Sequence, residues 1–198
     1  MTFVFDLDGT LIDSTARHYI LMRKILSDKG ISVASGFDES YMKYKADGNN
    51  GRKYLTDVLG INEADAALIQ REWVKQIEDE SYLLYDKLYD DSVSTLNLIN
   101  DSIVFLTIRS NESGIRNEIK RLGIDKYPLI VLSHGMDKAD AIKDINDKVT
   151  VIGDTELDYK AAIDTGSDYY ILNRGFRSKQ YWDQRGVISH SDLGGLIK

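Results

Sequence analysis

The chain reads as an α/β fold: a parallel sheet with helices on both faces, plus a small all-helical unit inserted near its beginning. Three observations predict this. Short apolar runs rich in β-branched and aromatic residues recur along the chain, several without polar alternation, as strands covered on both faces require. Helix-like stretches separate the later runs, and strand–helix alternation implies parallel pairing. Between Ser14 and about Leu84 no convincing strand appears, and the patterning is helical.

In order, the first strand is expected over 2–7, followed by 103–107, 129–133, 149–153 and 169–173, with a weaker sixth at 187–189. The helices between the later strands are expected over 113–122, 137–146 and 156–165. Gly123 and Gly166 sit just past two of them, where a left-handed stop belongs. In the long helical interval, Tyr19, Ile20, Met22, Ile25 and Leu26 mark one helix stopped by Gly30. Asp38 is placed to cap a second, with Phe37 and Met42 as a hydrophobic staple. Asn62 is placed to cap a third, along which Ala66, Ile69, Trp73 and Ile77 recur at helical spacing. The predicted organisation is a core of residues 1–14 and 85–198, interrupted by a helical unit of residues 15–84.

The composition removes whole classes of function. The 198 residues contain no cysteine, which excludes disulfide scaffolds, thiolate metal sites and cysteine nucleophiles. Lys and Arg total 25 against 32 Asp and Glu, a formal charge of -7. That balance opposes binding to nucleic acid polymers or anionic membranes. No apolar window is long enough to span a bilayer, and the first residues lack a basic leader region, so a cytoplasmic location is expected.

The strongest local signal is Asp6-Leu7-Asp8-Gly9-Thr10-Leu11-Ile12-Asp13-Ser14. Asp6 and Asp8, two apart at a strand end, can face the same way at the carboxyl edge of a parallel sheet, where such sheets bind ligands. Two acids this close repel each other unless a cation lies between them or one holds a proton. A second cluster, Gly153-Asp154-Thr155-Glu156-Leu157-Asp158, ends another strand. Carboxylates from two strand ends suit Mg²⁺, which takes few protein ligands and keeps water and substrate phosphate. Helix capping by Asp154 or Asp158 is the plainer alternative.

These stretches resemble the haloacid dehalogenase-like hydrolase superfamily, whose members are mostly Mg²⁺-dependent phosphatases with a Rossmann-like core. The first motif, Asp-x-Asp-Gly-Thr-Leu-x-Asp-Ser, is matched at 6–14, and the fourth, Gly-Asp-x-x-x-Asp, by Gly153, Asp154 and Asp158. Thr107 fits the second motif and Lys138 the third, with Lys143 as the alternative lysine. The resemblance implies that Asp6 attacks phosphorus and forms an aspartyl-phosphate, while Asp8 serves as general acid and then general base. It implies Mg²⁺ held by Asp6, Asp154 and the main-chain carbonyl of Asp8, with Asp158 in support. Thr107 and Lys138 are implied to hold phosphoryl oxygens, and Arg109 could reach phosphate or substrate.

An insertion after the first motif is, in this superfamily, a mobile helical cap that selects a small-molecule substrate. Within 15–84 the expected specificity loop is Asn49-Asn50-Gly51-Arg52-Lys53, where Asn50 and Arg52 could touch the leaving group; a plain Asn-Gly turn is the alternative. Arg17 and His18, just past the first motif, are further candidates, whereas Tyr41, Tyr44 and Tyr54 read as packing surface. Asp8 argues against a dehalogenase, which lacks that acid. Phosphonate-cleaving members also usually lack it and need a cap lysine, for which Lys24, Lys43 and Lys53 are the candidates. The expected activity is hydrolysis of a small phosphorylated metabolite, similar to phosphoglycolate or sugar-phosphate phosphatases. A phosphomutase, or a non-catalytic binding or regulatory relative, is the alternative.

Overall fold

The computed structural model describes residues 1–197. In chain order the elements are β1 (Thr2–Phe5), β2 (Ile12–Asp13), α1 (Thr15–Asp28), α2 (Phe37–Ala46), α3 (Gly51–Asp57), α4 (Glu63–Gln76) and α5 (Glu80–Leu83). They continue with β3 (Lys87–Leu88), α6 (Ser92–Leu98), β4 (Ser102–Ile108), α7 (Glu112–Arg121), β5 (Leu129–Leu132) and α8 (Lys138–Lys143). The last five are β6 (Val149–Gly153), α9 (Glu156–Thr165), β7 (Asp168–Leu172), α10 (Lys179–Asp183) and β8 (Ser189–His190).

Six strands form one sheet in the order β5-β4-β1-β6-β7-β8, and every neighbouring pair is parallel. β1 is central because its continuous apolar run can be covered from both sides. Phe3 and Phe5 pack on one face with Leu96 of α6 and Ile115 and Ile119 of α7. Val4, pointing the other way, joins Ala139 and Ile142 of α8 and Ala161 and Ala162 of α9. Each fully buried Phe, Leu, Ile or Val side chain in these layers contributes about 1.5–3 kcal/mol.

The short antiparallel pair β2–β3 joins Ile12 to Leu88 and Asp13 to Lys87, and helices α1–α5 leave and return through it. Those helices have their own core, in which Leu21, Met22, Ile25 and Leu26 of α1 meet Phe37 and Tyr41 of α2, Tyr54 and Leu55 of α3, and Ala66 and Ile69 of α4. Tyr41 and Tyr54 therefore pack as expected, edge to face at 5.2 Å. Asn62 caps α4 by accepting from the Asp65 N–H at 3.0 Å.

Several boundaries differ from the sequence reading. The α2 helix begins at Phe37 after Gly36, so Asp38 lies inside its first turn and binds Arg23 instead of capping. The predicted loop over 49–53 is only partly loop: Gly51, Arg52 and Lys53 form the first turn of α3, capped by Asn50. Helix α8 covers Lys138–Lys143, shorter than 137–146, with Asp137 as its cap. The sixth strand falls at Ser189–His190, slightly later than predicted.

Candidate active site

The carboxyl ends of β1, β4 and β6 bring the motif residues together. After Leu7 the chain turns sharply: the N–H groups of Leu11 and Ile12 both return to the Leu7 carbonyl, and Gly9 N–H donates to Ile12 at 2.7 Å. Gly9 occupies φ 78°, and a Cβ there would lie 2.3 Å from Oδ2 of Asp154, so this close approach requires glycine. The turn sends Asp6 and Asp8 to separate sets of partners, although their spacing placed both on one side of an extended strand.

Asp6 faces α8 and α9. Lys138, the first residue of α8, places Nζ 2.6 Å from Asp6 Oδ1 and 2.6 Å from Asp158 Oδ1. Asp158 also closes the first turn of α9, accepting from the Thr155 N–H at 3.0 Å and its hydroxyl at 2.7 Å. One carboxylate thus both caps α9 and holds Lys138. Asp154 accepts from the Phe176 N–H at 2.7 Å and from the Thr10 hydroxyl at 3.4 Å.

Asp6, Asp154 and Asp158 are all buried, and one carboxylate oxygen from each lies within 4.8 Å of the others. Burial raises Asp6 to about 7, with repulsion from Asp158 and Asp8 adding and the Lys138 charge opposing. Asp154 is pushed well above the ordinary carboxylate range by burial and by Asp6 and Asp158. Lys138 is raised instead: burial opposes its charge, but Asp158 and Asp6 outweigh that. If all three acids ionise, one ammonium leaves two negative charges uncompensated. Hard oxygen donors with that residual charge fit a small divalent cation such as Mg²⁺.

Asp8 belongs to a different network. Its carboxylate accepts from Arg109 Nε at 2.6 Å and Nη2 at 2.8 Å, and from Arg17 Nη2 at 2.5 Å. Burial alone would raise it, but the two guanidinium groups prevail and hold it at about 2. Behind them Arg109 reaches Glu118 at 3.3 Å and Arg17 reaches Asp86 at 3.3 Å. Burial pushes Asp86 up to about 9, so it carries a proton at neutral pH and the buried charges come closer to balance. The Asp8 side chain stays outside the three-acid cluster.

The remaining candidates divide. Thr107 is buried at the end of β4, two residues before Arg109. Lys143 pairs with Asp140 on the exposed side of α8, which leaves Lys138 as the lysine at the acids. Arg52 is half exposed and forks onto Glu63 at 3.0 and 2.6 Å, and Asn50 spends its side-chain oxygen on the Lys53 N–H. The structure therefore does not bring Arg52 and Asn50 to the acids. His18 packs between Trp73 and Phe176, with ring centroids 5.0 and 4.6 Å away.

Sequence reasoning missed the loop after β7 and the lysine it faces. Gly175, at φ 73°, lies against Gly9 and Asp154, and the next residue supplies the Phe176 N–H to Asp154. Arg177 and Ser178 then bind the helical unit, Arg177 Nη1 to the Lys45 carbonyl at 3.4 Å and Ser178 N–H to the Ala46 carbonyl at 2.8 Å. On the other side, Glu78 accepts from the N–H groups of Ser110 and Asn111. The helical unit thus rests over the strand ends on two loops. Among the described residues, no helix is long and apolar enough to cross a membrane.

A search of curated proteins found no match. Solved structures share the fold along nearly the whole chain. A candidate phosphatase from Clostridium difficile superposes with TM-score 0.78 at 16% identity, covering 100% of this chain and 98% of its own. A haloacid dehalogenase-like family hydrolase from Streptococcus pneumoniae gives 0.70 at 20% identity, covering 98% and 96%. A candidate phosphoglycolate phosphatase from Lactobacillus plantarum gives 0.70 at 16% identity, covering 99% and 97%. The sequence profile of the haloacid dehalogenase-like hydrolases matches residues 1–166, which include every acid of the site. The chain belongs to the haloacid dehalogenase-like hydrolase family.

Proposed function

We propose that the protein is a Mg²⁺-dependent phosphatase that hydrolyses a small phosphorylated metabolite through an aspartyl-phosphate on Asp6. The observation that carries this reading is the division of labour between the two acids of the first motif. Asp6 sits with Asp154, Asp158 and Lys138, while Asp8 sits apart with two arginines.

In the first step an Asp6 carboxylate oxygen attacks phosphorus, and the bond from phosphorus to the leaving oxygen breaks. Lys138 and Thr107 meet the phosphoryl oxygens, where charge must be stabilised as the bond order shifts. The entering phosphoryl group competes with Asp8 for Arg109. Partial release of that arginine lets burial raise the Asp8 pKa, so that Asp8 can deliver a proton to the leaving alcohol. In the second step Asp8, again ionised, takes a proton from water as it attacks the phospho-aspartate and frees phosphate. Asp6, Asp154 and the Asp8 carbonyl, supported by Asp158, would hold Mg²⁺, which when bound supplies positive charge to the phosphoryl group.

Residues 15–84 act as a cap in this reading. They meet the core through polar contacts of Glu78, Lys45, Ala46 and Arg17 and through the His18 ring on Phe176, a seam whose opening would admit substrate and whose closure would exclude water. The test is hydrolysis of p-nitrophenyl phosphate with Mg²⁺, with EDTA, and by Asp6→Asn. Activity lost in EDTA and in the variant is expected; activity that survives both overturns the reading.

A further inference from the structure

Asp8 belongs to a closed ring of five side chains drawn from five separate places in the chain. Asp8 follows β1, Arg17 stands in α1, Asp86 follows α5, Arg109 follows β4 and Glu118 stands in α7. Arg17 reaches Asp8 at 2.5 Å and Asp86 at 3.3 Å, and Arg109 reaches Asp8 at 2.6 Å and Glu118 at 3.3 Å. Asp86 and Glu118 close the ring with a side-chain hydrogen bond to each other. Arg121, three residues after Glu118 on α7, fixes the backbone there by donating to the carbonyls of Leu83 and Asp86 at 2.8 and 3.1 Å. Asp8 alone among the five reaches solvent: its side chain is 17% exposed, and the other four are sealed.

Two carboxyl groups hydrogen-bond only when a proton lies between them. Both oxygens of Asp86 and Oε1 of Glu118 are buried and have no other hydrogen-bond partner among the described residues, so a shared proton is what satisfies them. Charge gives the same answer. Two guanidinium groups face three acids, so full ionisation would bury one uncompensated negative charge, and one proton makes the ring neutral. Burial raises both acids against the opposing arginines, and their mutual hydrogen bond raises Asp86 further and lowers Glu118. The proton therefore belongs to Asp86. This makes the two arms on Asp8 unequal. The ionised Glu118 competes with Asp8 for Arg109, whereas the neutral Asp86 offers Arg17 an oxygen without a charge.

We propose that Glu118 and Asp86 are positioning residues for proton delivery by Asp8: Glu118 draws Arg109 off Asp8, while Asp86 leaves Arg17 to hold and orient it. This rests on the phosphatase reading above and adds two residues to its proton-transfer step. A guanidinium with no acid behind it would rest its whole charge on Asp8 and keep it a carboxylate. With Glu118 behind it, Arg109 is the arm that yields when a phosphoryl group arrives, and Arg17 is the arm that stays.

The test reads the leaving group rather than the overall rate. p-Nitrophenolate departs without a proton from Asp8, whereas phenolate, a much stronger base, needs one. The ratio of kcat/KM for p-nitrophenyl phosphate to that for phenyl phosphate, measured on the full chain with Mg²⁺, therefore reports proton delivery. Glu118→Gln should raise this ratio by about tenfold. Asp86→Leu should raise it as well, and Asp86→Asn, whose carboxamide donates to Glu118 and accepts from Arg17 as the protonated acid does, should reverse most of that rise. A packing role alone would slow both esters equally. An unchanged ratio in Glu118→Gln, or a rise in Asp86→Asn as large as in Asp86→Leu, overturns the proposal. Turnover of p-nitrophenyl phosphate shows that each variant has folded, and the two Asp86 variants decide if Glu118→Gln does not fold. A wild type that hydrolyses the nitrophenyl ester alone also overturns the proposal, because Asp8 then delivers no proton. Hydrolysis of neither ester overturns the phosphatase reading itself.

Discussion

Replacing Lys138 with Met removes the one positive charge lying between Asp6 and Asp158, 2.6 Å from each. All three groups are buried, so the orphaned carboxylates cannot turn to water. Breaking a buried ion pair from one side costs about 3–5 kcal/mol. At about 2–4 °C per kcal/mol for a chain of this size, the melting temperature in EDTA should fall by about 6–20 °C. The loss should depend on pH. Asp6 titrates at about 7, above the roughly 3.9 of an unfolded aspartate, so the folded state binds more protons between those values. Its burial therefore costs stability progressively as pH rises through that window. Without Lys138 the penalty deepens, and the deficit of the variant should be larger at about pH 8 than at about pH 5. Thermal unfolding by circular dichroism at both pH values, in EDTA and then in millimolar Mg²⁺, measures this. The cation should restore part of the melting temperature by supplying the missing charge. A fall of less than about 2 °C at the higher pH, or the same deficit at both pH values, would refute the reasoning.

Other consequences are equally direct. Arg109→Leu removes the fork that, with Arg17, holds Asp8 at about 2, so the alkaline limb of the kcat/KM profile, which the protonated Asp8 of the first step sets, should move to higher pH; an unmoved limb would detach Asp8 from Arg109. Gly175→Ala places a Cβ 2.4 Å from the Gly9 Cα at φ 73°, a backbone clash added to left-handed strain of about 1–2 kcal/mol. It should lower the midpoint of urea unfolding and reduce kcat together, and wild-type behaviour in both would contradict the close packing of that loop on Asp154. Lys45→Met relieves a cation held at about 7 by burial. An unfolded lysine titrates near 10.4, so the folded state pays for the charge below 7 and is relieved as pH rises toward 10.4. The variant should therefore melt higher than the wild type, by about 2–4 °C for each kcal/mol relieved, with the larger gain below pH 7.

What the sequence disclosed was local, and what it withheld was tertiary. The acids at 6, 8, 154 and 158 are legible because a strand end fixes where a residue sits whatever packs around it. The fully buried strand at Val149–Gly153 and the helix at Glu156–Thr165 have the predicted bounds, since continuous apolar runs and a following Gly166 define them without distant partners. β2 and β3 escape detection because a two-residue strand carries no periodicity. Arg52 looked like a substrate ligand beside an Asn-Gly turn, and only the neighbouring α4 shows that Glu63 neutralises it. Lys45 is the converse. In the run Lys43-Tyr44-Lys45 it reads as a solvated helix face, and only the arrival of Trp73 and Phe176, from distant parts of the chain, encloses it. Arg109 shows the same limit: its place after β4 was plain, but its grip on Asp8 depends on where the Gly9 turn aims that carboxylate.

The central claim is that Asp6 becomes phosphorylated while Asp8 handles protons. Slowing the second step should make the intermediate accumulate, so the decisive measurement uses Asp8→Asn with Mg²⁺ and p-nitrophenyl phosphate, whose phenolate departs without a proton from Asp8, quenched in acid and digested for mass spectrometry. The peptide containing Asp6 should gain the mass of one phosphoryl group, and that gain should vanish when Asp6→Asn is added. Turnover by the wild type with no phosphoryl group on Asp6 in the trapped variant, or a label on another residue, would contradict the account.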